Sequence, residues 1–366
     1  MGLKAGIVGL PNVGKSTLFN AITKQNILAA NYPFATIEPN VGVVFVPDKR
    51  LDFLVSLYNP VSVVPTTFEF TDIAGLVKGA STGEGLGNKF LSHIREVDAI
   101  VEVVRCFDNA NITHVTGDTN PVADVDIINV ELILADLEIV QSRIGKIEKK
   151  AETTKEKNVV LELNALKKAE KALLDNKAIR TINYTKDELA VIKPFNFLTI
   201  KPIIYVANVD EDAVSKGDNN YSLQLKEYAK NEHSKVIVMC AKLEEELSSL
   251  ADEDKKDLLE SFGINNSGLD NLIFATYDLL GLATFFTAGA DECRAWTFRK
   301  GMLAPQCAGI IHNDFEKGFI KAEVMSYEDL YEYKDEKKVK EAGKLRIEGK
   351  DYALKDGDIC YFRFNV

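Results

Sequence analysis

Residues 9–16 read Gly9-Leu10-Pro11-Asn12-Val13-Gly14-Lys15-Ser16. The preceding Ala5-Gly6-Ile7-Val8 is a short apolar run that predicts a buried strand. The following Thr17-Leu18-Phe19-Asn20-Ala21-Ile22 carries an apolar helical pattern. A glycine loop between strand and helix lets backbone N–H groups close around phosphate oxygens without a Cβ in the way. Lys15 supplies a mobile positive charge for the β- and γ-phosphates, and the Ser16 hydroxyl suits Mg²⁺. The helix that begins here points the positive end of its dipole at the anion. Gly9-x4-Gly14-Lys15-Ser16 therefore matches the P-loop pattern in full, with Asn12, Val13, Gly14, Lys15, Ser16 and Thr17 as its phosphate-side residues.

Working outward, strand-like and helical segments alternate. Thr67–Asp72, Ala99–Arg105, Pro202–Ala207 and Lys235–Cys240 read as strands, which predicts an α/β fold with a mostly parallel sheet. Between Glu131 and about Pro194 the period changes. Ile133, Leu137, Val140, Ile144 and Ile147 step by heptad spacing, as do Val159, Leu163, Leu166 and Leu173 after a polar stretch. An antiparallel helical hairpin inserted into the α/β domain is expected, with Lys146, Lys149, Lys150, Lys155 and Lys157 near its tip. Those lysines fit a solvated tip or a docking surface for a polyanion. After about Gly281 come short mixed strands and turns, read as a small α+β domain of the β-grasp type. The expected division is a P-loop domain over 1–130 and 198–281, the hairpin over 131–197, and the C-terminal domain over 282–366.

The 366-residue chain has 46% apolar residues and a formal net charge of −11. That balance speaks against a generally basic, nucleic-acid-coating surface. The charge is uneven: residues 282–366 carry 14 Lys/Arg against 15 Asp/Glu, and the remainder 30 against 40, which leaves room for a local basic patch. No run approaches the roughly 18 apolar residues needed to span a bilayer, and no signal pattern precedes the first strand. The five cysteines form no CxxC pair, as expected of reduced thiols in a cytoplasmic protein without a zinc site.

Two further motifs stand at the spacing that nucleotide hydrolysis requires. Asp72-Ile73-Ala74-Gly75 closes a strand and fits an acid beside Mg²⁺ followed by a glycine facing the γ-phosphate. Thr36 lies between the first helix and that strand, where a threonine hydroxyl reaches Mg²⁺. The expected metal ligands are thus Ser16, Thr36 and Asp72. Leu76 occupies the place where a glutamine orients the attacking water in Ras-like enzymes. Leucine cannot do this, so the group must come from elsewhere in the chain or from a partner. A glycine-rich run, Gly79 to Gly87, follows.

These motifs carry a family resemblance. Pro11 to Thr17, Thr36-Ile37-Glu38-Pro39-Asn40, Asp72 to Ala80 and Gly83 to Asn88 resemble the YchF group of Obg-like P-loop NTPases. Thr287-Ala288-Gly289, Arg294 to Thr297 and His312 to Ile320 resemble that group's TGS domain. The resemblance covers essentially the whole chain. It implies a G domain, a helical arm, a TGS-like β-grasp domain, nucleotide-dependent association with the ribosome (large subunit or whole particle) and hydrolysis of ATP in preference to GTP. It gives His114 the water-positioning role and makes Cys240-Ala241-Lys242 the second base loop. Asn12 stands where potassium-activated members of this NTPase class hold K⁺. A monomer without membrane attachment is expected.

Residues 207–212, Ala207-Asn208-Val209-Asp210-Glu211-Asp212, follow a strand where guanine-specific enzymes carry Asn-Lys-x-Asp. The aspartate there accepts both the N1–H and the N2 amino group of guanine. Glu211 is one methylene longer, and Val209 replaces the lysine that covers the base. A lost charge-assisted pair forfeits roughly 1.5–3 kcal/mol, so guanine selectivity is expected to be relaxed while adenine loses nothing. The expected base-site residues are Asn208, Val209, Glu211, Cys240 and Ala241. A slow NTPase switch and a nucleotide sensor with incidental hydrolysis both fit. A small-molecule kinase fits poorly, because no acceptor-pocket signature accompanies the long glycine loop.

Overall fold

The computed structural model describes residues 3–29, 40–73, 86–109 and 118–365. Thr36, Gly75, Leu76 and His114 lie outside the described residues. Along the chain run β1 (Lys4–Val8), α1 (Lys15–Ala29), β2 (Val41–Phe45), α2 (Lys49–Tyr58), β3 (Ser62–Val64), β4 (Thr67–Asp72), α3 (Leu86–Glu96) and β5 (Ala99–Arg105). Next come α4 (Pro121–Thr154), α5 (Lys157–Leu174), α6 (Lys186–Ile192), β6 (Ile203–Asn208), α7 (Glu211–Lys216), α8 (Asn220–Asn231), β7 (Lys235–Met239), α9 (Ala241–Leu247), α10 (Asp252–Ser261) and α11 (Gly268–Leu279). The C-terminal part holds β8 (Leu282–Ala288), β9 (Glu292–Arg299), α12 (Ala304–Ile311), α13 (Asn313–Lys317), β10 (Phe319–Ser326), α14 (Tyr327–Tyr333), α15 (Glu336–Glu341), β11 (Arg346–Glu348) and β12 (Asp358–Phe364). No helix among the described residues is long and apolar enough to cross a membrane.

Contacts divide the chain into two compact units. The first comprises residues 1–44 and 69–275 and holds a sheet in the order β2-β4-β1-β5-β6-β7. β1 lies parallel to both β4 and β5, and β5–β6 and β6–β7 are also parallel. β5 and β6 are buried along their whole length, as strands covered on both faces must be, and they read as mostly apolar runs that in β5 also bury Glu102 and Arg105. The chain turns to one side of β1 for β4 and to the other for β5. That reversal opens a crevice at the carboxyl ends of the strands, the usual ligand position in such sheets.

α4 and α5 form the expected hairpin. Only Lys155 and Glu156 separate the two helices, so the chain reverses and they pack antiparallel, with the ion pairs Arg143–Glu162 and Glu148–Lys167 crossing between them. The apolar steps read from the sequence make the seam: Ile133, Val140, Ile144 and Ile147 pack with Leu163, Leu166 and Leu173. The first helix begins earlier than its heptads suggest. Asn120 caps it by accepting from Ala123 N at 3.1 Å, and Pro121 occupies its first turn, where a missing N–H costs nothing. Val125, Ile128 and Leu132 are buried ahead of the hairpin seam.

The second unit comprises residues 45–68 and 276–366, with a sheet in the order β11-β10-β12-β8-β9-β3. The hairpin β8–β9 is antiparallel, β10–β12 is antiparallel, and the first and last of these strands, β8 and β12, lie parallel in the middle. This is the β-grasp arrangement, with α12 over one face packing Ala304, Cys307 and Ala308 against Phe285, Phe298 and Phe362. The sequence division kept residues 45–68 in the P-loop domain. The structure places them here: Leu51 and Leu54 of α2 join the cluster of Phe286, Cys293, Ala295 and Ile359, and β3 pairs with β9. A segment whose partners stand more than 200 residues away leaves no local pattern.

Candidate nucleotide-binding site

The loop between β1 and α1 is shaped by two glycines. A Cβ on Gly9 would stand 2.7 Å from the Val103 carbonyl oxygen of the neighbouring strand. Gly14 has φ +97°, and a Cβ there would lie 2.1 Å from the Asn208 amide nitrogen. Neither position admits a side chain. Asn12 also takes a left-handed conformation, φ 63°, which asparagine tolerates better than most residues. Ser16 is exposed in the first turn of α1, and Thr17 is half-buried.

Lys15 Nζ donates to Asp72 Oδ1. The contact follows from register: β1 and β4 are parallel neighbours with Ile7 opposite Asp72, so the strand-end acid arrives beside the loop. Both side chains keep some solvent access, 12% and 22%. An ammonium and a carboxylate, held together and partly open, can separate to meet a phosphate and a cation. The Ser16 hydroxyl and the Asp72 carboxylate are hard oxygen donors and few in number. They fit Mg²⁺, which is held through one or two protein oxygens, waters and substrate phosphates.

Asn208 ties the base side of the crevice to the phosphate loop. Its Nδ2 donates to Val13 O at 2.8 Å, and its Oδ1 accepts from Ala241 N at 2.9 Å. The side chain is 5% exposed, so both bonds are protected from water. Val209 is buried and donates its N–H to Met239 O at 2.9 Å. Asp210 caps α7 by accepting from Ala213 N at 2.9 Å. Glu211 Oε1 lies 2.8 Å from Lys242 Nζ, an ion pair that raises the pKa of the lysine, chiefly through that hydrogen bond. Cys240 sits before α9 with its thiol pushed up by burial.

These groups line one cleft of about 730 Å³. It brings together Asn12, Gly14 and Thr17 with Asn208, Val209, Glu211, Cys240 and Ala241, all singled out from the sequence. Phe107, Asn109 and Asp212 line it as well and were not. Arg105 holds that wall: its Nε donates to Phe107 O at 3.1 Å, its Nη2 to Asn109 O at 3.3 Å, and its guanidinium lies 4.8 Å from the Phe107 ring centroid. The missed signal is positional. Phe107 and Asn109 follow β5, the strand beside β1 at the sheet's switch point.

A family model described as "50S ribosome-binding GTPase" matches residues 4–135. A C-terminal YchF GTPase model, described as "Protein of unknown function (DUF933)", matches residues 282–365. A Bacillus subtilis (strain 168) protein named ribosome-binding ATPase YchF is 57% identical over the full length of both chains. The chain belongs to the YchF family. A Pasteurella multocida (strain Pm70) YchF of the same name is 54% identical, again over the full length of both. The structure of the Schizosaccharomyces pombe YchF GTPase matches with a TM-score of 0.90 at 42% identity, covering 99% of this chain and 98% of that one. A G domain with a C-terminal domain is thus the family's architecture as well as this chain's.

Proposed function

We propose that this YchF-family chain is an ATP-hydrolysing switch that associates with the ribosome. The observation that carries the reading is the cleft that Asn12, Gly14 and Thr17 of the phosphate loop share with Asn208, Val209, Cys240 and Ala241, with Lys15 of the same loop paired to Asp72. Backbone N–H groups of residues 12–17 and the Lys15 ammonium would hold the phosphates, with the dipole of α1 behind them. Ser16 and Asp72 would hold Mg²⁺, with Thr36 as a third ligand. When bound, the ion neutralises charge on the phosphate oxygens. Gly75 would face the γ-phosphate and His114 would orient the attacking water, both as the resemblance implies. Asn12 would admit K⁺, so turnover in K⁺ should exceed turnover in Na⁺ at equal ionic strength.

The preference for ATP rests on the base side. Guanine needs a free carboxylate to accept two N–H groups. Glu211 is already engaged by Lys242, and the lysine that would cover the base is Val209. Adenine has no need of that carboxylate, and Val209, Cys240 and Ala241 line the cleft as apolar cover for it. The curated relatives are named ribosome-binding ATPases, which supports both halves of the proposal. A calorimetric competition between ATP and GTP tests the first half, with ATP expected to bind at least as tightly. GTP binding a hundredfold tighter would overturn it. Turnover with and without purified ribosomes tests the second, with stimulation expected. A cytoplasmic monomer is the state in which the protein would act.

A further inference from the structure

A second cleft, of about 490 Å³, shares no lining residue with the first. It lies between α3 and α4, near the root of the hairpin. α3 contributes Ser92 and Arg95, and α4 contributes Ser142, Arg143 and Lys146. Glu138 is the one carboxylate among its lining residues, against three cations. Phe195, with Leu91 and Ile139, gives an apolar wall. The cations differ in what they have left to offer. Arg143 gives Nε and Nη2 to Glu162 at 2.6 and 3.2 Å, which leaves Nη1. Arg95 gives Nη1 to Asn196 O at 3.1 Å. Lys146 is exposed and has no hydrogen bond or ion pair among the described residues.

The walls are held by a fixed joint. Lys201, 7% exposed, donates Nζ to the Arg95 and Val97 carbonyl oxygens at 3.0 and 2.6 Å, closing the carboxyl end of α3. Asn196 Nδ2 donates to Arg95 O at 3.0 Å. From α4, Asp136 accepts from the backbone N–H groups of Leu198 and Thr199 at 2.9 and 2.7 Å. Thus α3, the segment 195–201 and α4 are bonded to one another around the cleft, which is preformed rather than a gap between loose elements. Its size falls in the range of about 300–1,000 Å³ usual for small-ligand pockets, and a few polar groups beside an apolar wall is their usual make-up.

We propose that this cleft is a second anion site, taking a nucleotide-sized, phosphate-bearing ligand. Its charged end sits on Lys146, Arg95 and the Ser92 and Ser142 hydroxyls, and its planar part packs at the edge of Phe195, whose ring meets the Arg143 guanidinium at 5.8 Å and stacks on Phe197 at 5.5 Å. Guanidinium and ammonium donors beside hydroxyls match phosphate oxygens in both charge and hydrogen bonding. An occupant bridges α3, the helix that follows the Asp72–Gly75 motif in the chain, to the helical arm. The site is independent of what the P-loop binds.

The test uses the full-length protein with its P-loop first saturated by a non-hydrolysable ATP analogue and Mg²⁺. Calorimetric titration then follows with two probes, pyrophosphate and adenosine 3′,5′-bisphosphate. Expected is one further binding event, tighter for the bisphosphate. Lys146→Glu should weaken both probes at least tenfold, and Ser142→Asp should act in the same direction. Lys256→Glu, on α10 and not among the lining residues, should change neither. Phe195→Leu should remove the advantage of the bisphosphate while leaving pyrophosphate in place. Lys146, Ser142 and Lys256 are exposed, so their variants keep the fold. Failure of the first saturation would count against the proposed function alone, and the probes would then be titrated into the unliganded protein, with the same variants deciding. Absence of the further event for both probes at millimolar concentration, or an event untouched by Lys146→Glu, would overturn the second site.

Discussion

At the scale of single residues, Asn208 has two loads that a sequence reading cannot separate. The spacing placed it in a base loop. The structure shows it bonding Val13 O and Ala241 N in a buried position, so it fastens the phosphate loop to the second base loop. Asn208→Ala leaves a buried carbonyl and a buried N–H without partners, at about 1–3 kcal/mol each. The urea midpoint should fall accordingly, and triphosphate affinity should drop with it because the loop loses its brace. An unchanged midpoint would show that water replaces both bonds. A second prediction concerns the base. Val209→Lys with Glu211→Asp shortens the acid away from Lys242 and restores the covering lysine. The ratio of GTP to ATP affinity should rise by about 1–3 kcal/mol. Equal ratios in wild type and variant would mean that neither position reads the base. The residues themselves were legible because chemistry dictates their spacing. Phe107 and Asn109 were not, because their role comes from which strand is adjacent to which.

At the scale of elements, the hairpin was legible from heptad steps alone, but its root was not. The root depends on a buried acid. Asp136 on α4 is fully buried and accepts from Leu198 N, Thr199 N and Thr199 Oγ1, which oppose the rise in pKa that burial causes. Asp136→Ala strands all three donors and should cost about 3 kcal/mol or more. Asp136→Asn keeps one acceptor oxygen and should cost less. Hydrogen exchange at Leu198 and Thr199 should quicken in the same order, and equal exchange in all three proteins would rule the anchor out. A second buried acid lies under α4. Glu102 on β5 has one oxygen without a hydrogen-bond partner, and burial pushes its pKa well up, with nearby Arg180 opposing. Arg180 is in turn held by Glu232, which also accepts from the Tyr205 hydroxyl at 2.8 Å. A raised carboxyl pKa means the folded state holds the proton longer than the unfolded state. Its contribution to stability is complete below the unfolded value of about 4.3 and is lost as pH rises through the higher folded value. Glu102→Gln cannot ionise, so its stability should fall less steeply than that of wild type as pH rises above the unfolded value. Parallel profiles in urea unfolding would remove Glu102 as the source.

At the scale of the whole molecule, the chain's order and its structural units do not coincide. The P-loop, its strands and the style change near Gly281 were readable because each is continuous in sequence. The excursion of residues 45–68 was hidden because its partners are remote. α2 carries Leu51 and Leu54 into a cluster with Phe286, Cys293, Ala295, Met325 and Ile359. Arg50 bonds Asp356 at 2.7 Å and lies 5.2 Å from the Phe286 ring centroid, Tyr58 bonds Glu336, and Thr66 bonds Thr297. β3 covers the edge of β9 from Ser62 opposite Glu292 to Val64 opposite Arg294. A fragment cut at the boundary read from sequence, residues 282–366, therefore lacks one wall of its core and one edge strand. Each of the two leucines is worth about 1.5–3 kcal/mol of burial, a large part of what a domain of this size has in hand. The uncovered β9 edge would also offer a template for aggregation. The 282–366 fragment should thus unfold without a cooperative thermal transition, or aggregate. A polypeptide joining residues 45–68 through a flexible linker to 276–366 should unfold cooperatively by circular dichroism. A sharp transition in the shorter fragment, unchanged when residues 45–68 are supplied, would mean that the α2 and β3 contacts are dispensable and that the sequence boundary was the physical one after all.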